Sequence, residues 1–170
     1  MQPAELKKRR DKTPEQALAA LMRLCARAEK SESDARRLMR GWGLTDRDAG
    51  QVLAKLVRDR FIDDGRYAEA FVREKLRLSG WGAYKIRTAL QRKGIPKELI
   101  DAALAQADGT DMDERLTQML ARKARTAKAA TPYDLKTKLI RYGLSLGYEY
   151  EAVIEAASAM VRETDECEDF

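Results

Sequence analysis

Histidine is absent from this 170-residue chain. Its absence excludes Ser-His and Cys-His nucleophile pairs, and it excludes every zinc site that has a histidine ligand. Valine and isoleucine are scarce, with 5 and 6 residues against 26 alanines and 19 leucines. Because alanine and leucine favour helices while branched aliphatic residues favour strands, the composition excludes a mostly β protein and predicts an all-α fold.

Cysteine and long apolar runs are also rare. The 2 cysteines, Cys25 and Cys167, are far apart and form no CxxC pair, so neither a metal site nor a redox motif is expected. No apolar run approaches the ~20 residues that span a bilayer, and the first residues lack the apolar core of a signal peptide. We therefore expect a cytoplasmic protein without membrane contact.

Motifs that carry enzyme chemistry are missing as well. The sequence has no phosphate-binding GxxxxGK[ST] loop and no calcium-loop spacing, and Gly80-Trp81-Gly82 is too short for a dinucleotide fingerprint. Asp63 and Asp64 could be a carboxylate pair, but beside a helix start they fit helix caps better. We expect no enzymatic activity, no cofactor and no metal.

The charge is divided unevenly along the chain. The net charge is +5, with +3 on residues 1–12, −5 on residues 163–170 and +7 on the body between them. We predict a flexible basic extension over residues 1–13 and a disordered acidic tail over residues 163–170. The basic body suggests a polyanionic partner, although an ordinary solvated helical protein could carry the same charge.

A repeat runs through the chain. Residues 33–44, 84–95 and 133–144 align without gaps. Positions three and seven of each segment are apolar, which is the spacing of one buried helix face. Each segment ends in a glycine and an aliphatic residue, so the glycine is predicted to follow a helix end with positive φ. These glycines are Gly43, Gly94 and Gly143.

Capping signals such as Thr13-Pro14, Ser31 followed by Asp34, and Thr131-Pro132 divide the chain into nine predicted helices. The fourth predicted helix, residues 64–78, is expected to have an apolar stripe formed by Tyr67, Phe71 and Leu78. The helices group into three-helix repeats over residues 14–62, 63–109 and 110–162, which predicts an elongated, curved, solenoid-like monomer. The predicted helices are 14–29, 32–41, 46–60, 64–78, 83–93, 96–107, 111–127, 132–142 and 146–162.

Basic side chains recur at exposed positions. Position four of the repeat is basic in all three segments. On a solenoid, these three side chains would form a stripe that faces a polyanion. Alternatively, they are solvated side chains that flank the core. Further lysines and arginines flank the fifth predicted helix and form a run at the end of the seventh. Their attraction to the negative end of the helix dipole explains part of that run. Trp42 and Trp81 fit packed wedges better than base-stacking platforms. The predicted contact residues are Arg36, Arg87, Lys136, Lys85, Arg92, Arg122, Lys123 and Arg125.

Two segments resemble signatures of the bacterial RecX family. The first is LVRDRFIDDGRYA at residues 56–68, followed by Phe71-Val72. The second is GWGAYKIR at residues 80–87, followed by Leu90 and Lys93-Gly94-Ile95. The resemblance covers about residues 14–162. The family-motif residues are Asp63, Asp64, Tyr67, Phe71, Gly80, Trp81, Gly82, Ile86, Leu90 and Gly94.

The resemblance implies tandem three-helix repeats and a regulatory function without catalysis. RecX proteins bind in the groove of the RecA–DNA filament, mainly inhibit its ATP hydrolysis and strand exchange in DNA repair and recombination, and bind single- or double-stranded DNA weakly. One alternative is a direct DNA-binding protein built from helix-turn-helix-like modules. It is disfavoured because Thr88 and Gln91, which could read bases, are matched inconsistently in the other repeats, by Arg37 and Arg40 in one and by Thr137 and Ile140 in the other. Another is a helical adaptor with no nucleic-acid role.

Overall fold

The computed structural model describes residues 11–107 and 109–167 and shows only helices, turns and loops there. The predicted all-α fold is confirmed, with nine α-helices in the described ranges. None of these helices is long and apolar enough to cross a bilayer. The helices are α1 (Pro14–Cys25), α2 (Glu32–Gly41), α3 (Asp46–Arg58), α4 (Asp64–Glu74), α5 (Ala83–Arg92), α6 (Lys97–Gln106), α7 (Gly109–Thr126), α8 (Pro132–Ser145) and α9 (Tyr150–Cys167).

The chain forms two compact units. Among the described residues, the first unit contains those up to Ala68 together with Lys93–Ile95, and the second contains Glu69–Arg92 and those from Pro96 onward. In the first unit, α1 to α3 enclose a core that includes Leu21, Met39, Leu56 and Ile62. In the second unit, α7 to α9 enclose a core that includes Leu116, Leu120, Leu139 and Val153. The boundary lies inside α4, within the segment predicted as the second repeat.

Local capping explains where several helices begin. The Thr13 hydroxyl accepts from the Gln16 N–H, and the Gln16 side chain accepts from the Thr13 N–H, which forms a capping box at α1. Ser31 and Asp34 form the same reciprocal pair at α2. Thr131 caps α8 by accepting from the Asp134 N–H. The predicted starts of these three helices are confirmed.

A π-helical turn, Lys75–Ser79, continues α4 and changes its register. A π turn holds an extra residue, which rotates the side chains that follow by about 100° relative to an α-helix. Leu76 is buried on the same face as Ala68 and Val72, whereas Leu78, inside the π turn, is 81% exposed. The prediction that Leu78 belongs to the apolar stripe of this helix is wrong.

Gly143 is not the terminal glycine of its helix. Helix α8 continues to Ser145, and a Cβ at Gly143 would lie 2.7 Å from Val153 Cγ1 of α9. Gly143 thus allows two helices to approach, and the prediction of a positive φ there is wrong. The positive φ occurs instead at Gly147, at +88°, and α9 begins at Tyr150 rather than at residue 146.

Gly43 and Gly94 adopt the positive φ that the repeat predicts, at +80° and +73°. A Cβ at Gly94 would have no other atom within 4 Å, so only backbone strain opposes a side chain there. We expect Gly94→Ala to lower the free energy of unfolding by about 1 kcal/mol. Thermal and urea unfolding measure this loss, and an unchanged melting temperature would contradict it.

Helix α9 extends to Cys167, so five of the eight residues predicted as a disordered tail are helical. No glycine or proline interrupts this part of the sequence, and alanine and glutamate are good helix formers. The remaining tail residues, 168–170, lie outside the described residues. So do residues 1–10 of the predicted basic extension.

Candidate interaction surfaces

The two adjacent aspartates of the first RecX-like signature cap helices in the first unit. Asp63 Oδ1 accepts from the Arg66 N–H at 2.9 Å, which confirms its predicted role as a cap of α4. Asp64 Oδ1 accepts from the Glu32 N–H, also at 2.9 Å, and so caps α2, 32 residues away. Burial raises the pKa of Asp64, helped by the Asp63 charge and opposed by the Glu32 N–H.

The buried carboxylate of Asp34, on α2, bonds to Lys93 of the second RecX-like signature. Asp34 is 8% exposed and accepts from Lys93 Nζ at 2.9 Å and from Arg37 Nη2 at 3.3 Å. The Lys93 ammonium also lies 5.4 Å from the centre of the Tyr67 ring. Burial raises the pKa of Asp34, but bonds from Lys93 and Ser31 outweigh it and leave that pKa below its ordinary value. The sequence indicated the Asp34 cap but not the Lys93 contact.

Arg66 holds the turn between α3 and α4. Its Nε donates to Glu29 Oε1 at 2.6 Å, and its Nη2 donates to the carbonyls of Arg60 and Phe61 at 3.2 and 3.3 Å. The hydrogen bond to Glu29 raises the pKa of Arg66. Arg60 has a φ of +61°, so these contacts stabilise a backbone conformation that a non-glycine residue rarely adopts.

The second signature fixes the start of α5 in the second unit. The Gly82 N–H donates to the Leu146 carbonyl at 2.7 Å, and the Tyr84 N–H donates to the Gly147 carbonyl at 3.1 Å. Two N–H groups that α5 leaves unpaired are satisfied by the turn between α8 and α9. A Cβ at Gly82 would lie 2.5 Å from the Gly147 oxygen, so this approach requires glycine.

Trp81 is a packed wedge, as the sequence favoured. Its ring meets Phe71 edge-on, with centroids 6.4 Å apart. The ammonium groups of Lys75 and Lys85 lie 5.4 and 4.7 Å from its centroid. Lys85 Nζ also donates to the Ser145 carbonyl at 3.2 Å, so this predicted contact residue is engaged within the second unit.

A groove between α5 and α8 adjoins Trp81, and we call it the Tyr84 groove. Tyr84 and Leu144 are 69% and 40% exposed there. Arg92, a predicted contact residue, lies in the same wall as Lys85, and none of the described residues that line the groove is a carboxylate. Its lining residues are Trp81, Tyr84, Lys85, Thr88, Ala89, Arg92, Leu144, Ser145 and Gly147.

A second depression, the α7–α8 basic pocket, lies between the end of α7 and the middle of α8. The Lys123 ammonium lies 5.3 Å from the centre of the Tyr142 ring. Lys138 Nζ donates to Asp134 Oδ2 at 2.9 Å and to the Lys128 carbonyl, and the Lys138 bond lowers the pKa of Asp134. Its lining residues are Lys123, Thr126, Ala127, Lys128, Lys138, Arg141 and Tyr142.

The predicted cations at the end of α7 do not all enter this pocket. Lys123 lines it, whereas Arg122 and Arg125 are exposed on the same helix outside the lining. Neither arginine has an ion-pair partner within the described ranges. Lys128, the last residue of the same basic run in the sequence, lines the pocket with Lys123. Lys138 and Arg141 line it too, although no local sequence signal indicated them.

The basic residues at position four of the repeat have different surroundings. Arg36 is exposed in the first unit, where it lines a shallow pocket with Asp46. In the second unit, Lys136 is half-buried, and Arg87 forms an ion pair with Asp101. Lys97, with Arg87, lowers the pKa of Asp101. An external anion would have to compete with this carboxylate for the Arg87 charge.

Arg115 forms a further contact between elements that the sequence did not indicate. Its guanidinium donates to the carbonyls of Leu76 and Arg77 in the π turn, Nε lying 3.3 Å from the Leu76 oxygen. These carbonyls belong to the last turn of the α4 extension and need hydrogen-bond donors from outside it. Arg115 therefore connects α7 to the π turn within the second unit.

Two sequence relatives of this chain carry the name regulatory protein RecX. Residues 63–104 match the family model described as RecX, second three-helix domain. Regulatory protein RecX of Mycolicibacterium vanbaalenii is 31% identical over 123 residues, 72% of this chain and 67% of the relative. The RecX of Clostridium beijerinckii is 30% identical over 132 residues, 76% of this chain. The chain spans 61% of that relative's length.

Solved structures with the same fold also carry this name. The crystal structure of RecX from Lactobacillus salivarius superposes with a TM-score of 0.76 at 18% identity, covering 86% of this chain and 95% of that one. A second crystal structure of regulatory protein RecX gives 0.75 at 22% identity, with coverage of 84% and 71%. Sequence identity along most of the chain, the matched three-helix domain and the shared fold together show that the chain belongs to the RecX family.

Proposed function

We propose that this protein binds the RecA–DNA filament in the cytoplasm and mainly inhibits its ATP hydrolysis and strand exchange. The observation that carries the proposal is membership of a family whose named relatives are regulatory proteins. The filament is the target that the RecX resemblance implies. The protein acts by binding, without a cofactor.

Exposed cations support a partner that carries phosphate groups. Arg122 and Arg125 are exposed beside the α7–α8 basic pocket, which four cations line. Asp134 is bonded to Lys138 and does not line the pocket. Phosphate contacts by lysine and arginine release counterions from DNA, so they produce binding that weakens as salt rises. We assign the DNA-facing contacts to Arg122, Lys123 and Arg125, with Arg36 and Lys136 as further contacts.

Direct DNA binding without RecA is the second candidate, and the α7–α8 basic pocket is the observation that favours it. A pocket with several cations attracts phosphate groups on bare DNA as well as in a filament. The two candidates differ in whether RecA adds affinity. They also differ in whether the protein slows ATP hydrolysis by RecA at concentrations that leave bare DNA unbound.

The proposed function is tested by titrating the protein into DNA-dependent ATP hydrolysis by RecA. Binding to bare DNA is measured in parallel at two salt concentrations. We expect hydrolysis to fall at protein concentrations below those that saturate bare DNA. Unchanged hydrolysis throughout the titration would contradict the proposal. Inhibition that only follows saturation of bare DNA would favour the second candidate.

Removing two exposed cations should separate DNA binding from the effect of general charge. The variant Arg122→Gln/Arg125→Gln is expected to need more protein for the same inhibition. The logarithmic salt slope should fall by about 1 for each phosphate group that the variant no longer binds. The matched control is Arg23→Gln/Arg47→Gln, which removes the same charge from exposed positions on α1 and α3. Equal effects of the two variants would contradict the assignment of these arginines to DNA.

A further inference from the structure

The Tyr84 groove exposes apolar surface that the core does not use. Tyr84 on α5 and Leu144 on α8 are 69% and 40% exposed, whereas Ile86 and Leu90 on α5 are fully buried. Sixty residues of sequence separate Tyr84 from Leu144, and the fold brings them to one groove. Large apolar side chains left exposed together typically mark an interaction site.

The groove is held in shape before any partner arrives. The hydrogen bonds from Gly82 and Tyr84 to the α8–α9 turn fix the first turn of α5 against the end of α8. Phe71, Lys75 and Lys85 surround the Trp81 ring, which forms part of the wall. A preformed groove loses little conformational entropy on binding, so its contacts contribute more fully to affinity.

The charges of the groove point to an acidic occupant. Lys85 already bonds to the Ser145 carbonyl and lies over Trp81. Arg92 is exposed, and its side chain has no ion-pair partner in the described part of the second unit. Because the groove has no carboxylate among its described lining residues, a carboxylate from outside could pair with Arg92 without displacing one of them.

We propose that the Tyr84 groove binds a segment of the partner protein in which an apolar side chain lies next to a carboxylate. The apolar side chain packs between Tyr84 and Leu144, and the carboxylate pairs with Arg92. Tyrosine, tryptophan and arginine are the residues most often found at the energetic centres of protein interfaces, and all three line this groove. The partner is RecA in the filament, and that identity rests on the proposed function.

A protein segment fits this groove better than a DNA strand does. Phe71 and the ammonium groups of Lys75 and Lys85 already contact the Trp81 ring, so a stacking base would compete with them. Leu144 and Ala89 present only carbon to an occupant. The groove has one uncommitted cation, whereas the α7–α8 basic pocket has several cations, so the pocket is the better phosphate site.

Photocrosslinking distinguishes the possible occupants. The photoreactive residue p-benzoylphenylalanine replaces Tyr84 in one sample and Tyr133 in the matched control. Tyr133 holds the same repeat position and is 80% exposed, but it does not line the groove. With labelled DNA in RecA filaments, we expect position 84 to crosslink to RecA and position 133 not to. Crosslinks from position 84 to DNA, equal crosslinks from both positions, or none from a bound protein would overturn the proposal.

Substitutions test the energetic role of the same residues. We expect Tyr84→Ser to weaken filament binding at least about tenfold, and Arg92→Gln to weaken it by several fold, while bare-DNA binding stays unchanged. The controls Tyr133→Ser and Arg162→Gln remove similar exposed side chains and should leave filament binding unchanged. If the unmodified protein binds filaments and Tyr84→Ser binds them equally well, the groove proposal fails alone. If the unmodified protein does not bind filaments, the proposed function fails as well.

Discussion

Replacing Gly147 with alanine is expected to lower the free energy of unfolding by about 3 kcal/mol or more. Gly147 has a φ of +88°, which strains any L side chain. Its Cβ would also lie 2.6 Å from the backbone nitrogen of Lys85, so the α8–α9 turn would have to move away from α5. Urea unfolding followed by circular dichroism measures the loss.

Alanine substitutions at two other glycines distinguish the cost of backbone strain from the cost of a close contact with neighbouring atoms. Gly94 has a positive φ, but its Cβ would point into open space, so Gly94→Ala measures the cost of backbone strain alone. Gly82→Ala carries a close approach alone, because its Cβ would meet the Gly147 oxygen at 2.5 Å without a positive φ. We expect the loss from Gly147→Ala to exceed that from Gly94→Ala clearly. Equal losses would show that the α5 start and the α8–α9 turn are not tightly packed.

Asp34→Ala is expected to destabilise the protein by about 2 to 3 kcal/mol at neutral pH. The substitution removes the reciprocal cap with Ser31 and leaves the half-buried Lys93 ammonium without its carboxylate. Arg37 also contacts Asp34 but is exposed, so Arg37→Met should change stability by less than about 0.5 kcal/mol. A double-mutant cycle between Asp34→Ala and Lys93→Met measures the coupling, and zero coupling would contradict this account.

The pH dependence of stability gives an independent test of the same contact. The pKa of Asp34 lies below its ordinary value of 3.8, so its stabilisation is complete above that pH and is lost as pH falls through the lowered pKa. The pKa of Lys93 is raised above 10.5 despite burial, because Asp34 and Tyr67 bond to it, so its contribution is lost only at still higher pH. Asp64, with its raised pKa, acts in the opposite sense and partly offsets the loss in acid.

Acid unfolding of two proteins checks this expectation. The unmodified protein should lose stability below about pH 4 more steeply than Asp34→Ala does, because only the former has this carboxylate to protonate. Free energies of unfolding from urea titrations between about pH 2 and pH 6 would show the difference. Parallel curves would mean that Asp34 contributes nothing to the acid sensitivity.

The sequence predicted features whose causes lie within a few residues. Thr13 with Gln16, and Ser31 with Asp34, identify helix starts because each pair is three residues apart and forms a reciprocal cap. Gly94 was predicted correctly because Pro96 prevents the helix from continuing. Gly143 instead packs against Val153 of α9, and its helix continues to Ser145, so the same Gly-aliphatic pattern has a different conformation there.

Contacts between distant residues had no comparable signal. Asp64 caps a helix 32 residues away, and Arg115 bonds to carbonyls 39 and 38 residues away. The π turn that exposes Leu78 also has no local sequence pattern that an α-helix would lack. These features follow from tertiary packing, which periodicity and capping rules do not specify.

At the candidate surfaces too, the sequence predicted which residues are basic but not the contacts that they make with distant residues. The sequence identified Lys85, Arg92 and Lys123 as exposed-side cations, but the chain's own groups engage Lys85 and Lys123. It assigned Arg87 to a basic stripe, whereas the fold supplies Asp101 as its partner. The Tyr84 groove could not be predicted, because it exists only where α5 and α8 meet.

Binding to RecA filaments and to bare DNA at the same salt concentration tests the central claim most directly. The labelled protein is titrated against single-stranded DNA alone and against the same DNA covered by RecA, with ATP hydrolysis followed in the second titration. We expect at least about tenfold tighter binding to the filament, with hydrolysis falling as the filament is occupied. Equal affinity for the two targets, or full occupancy without loss of hydrolysis, would contradict a regulatory role on RecA.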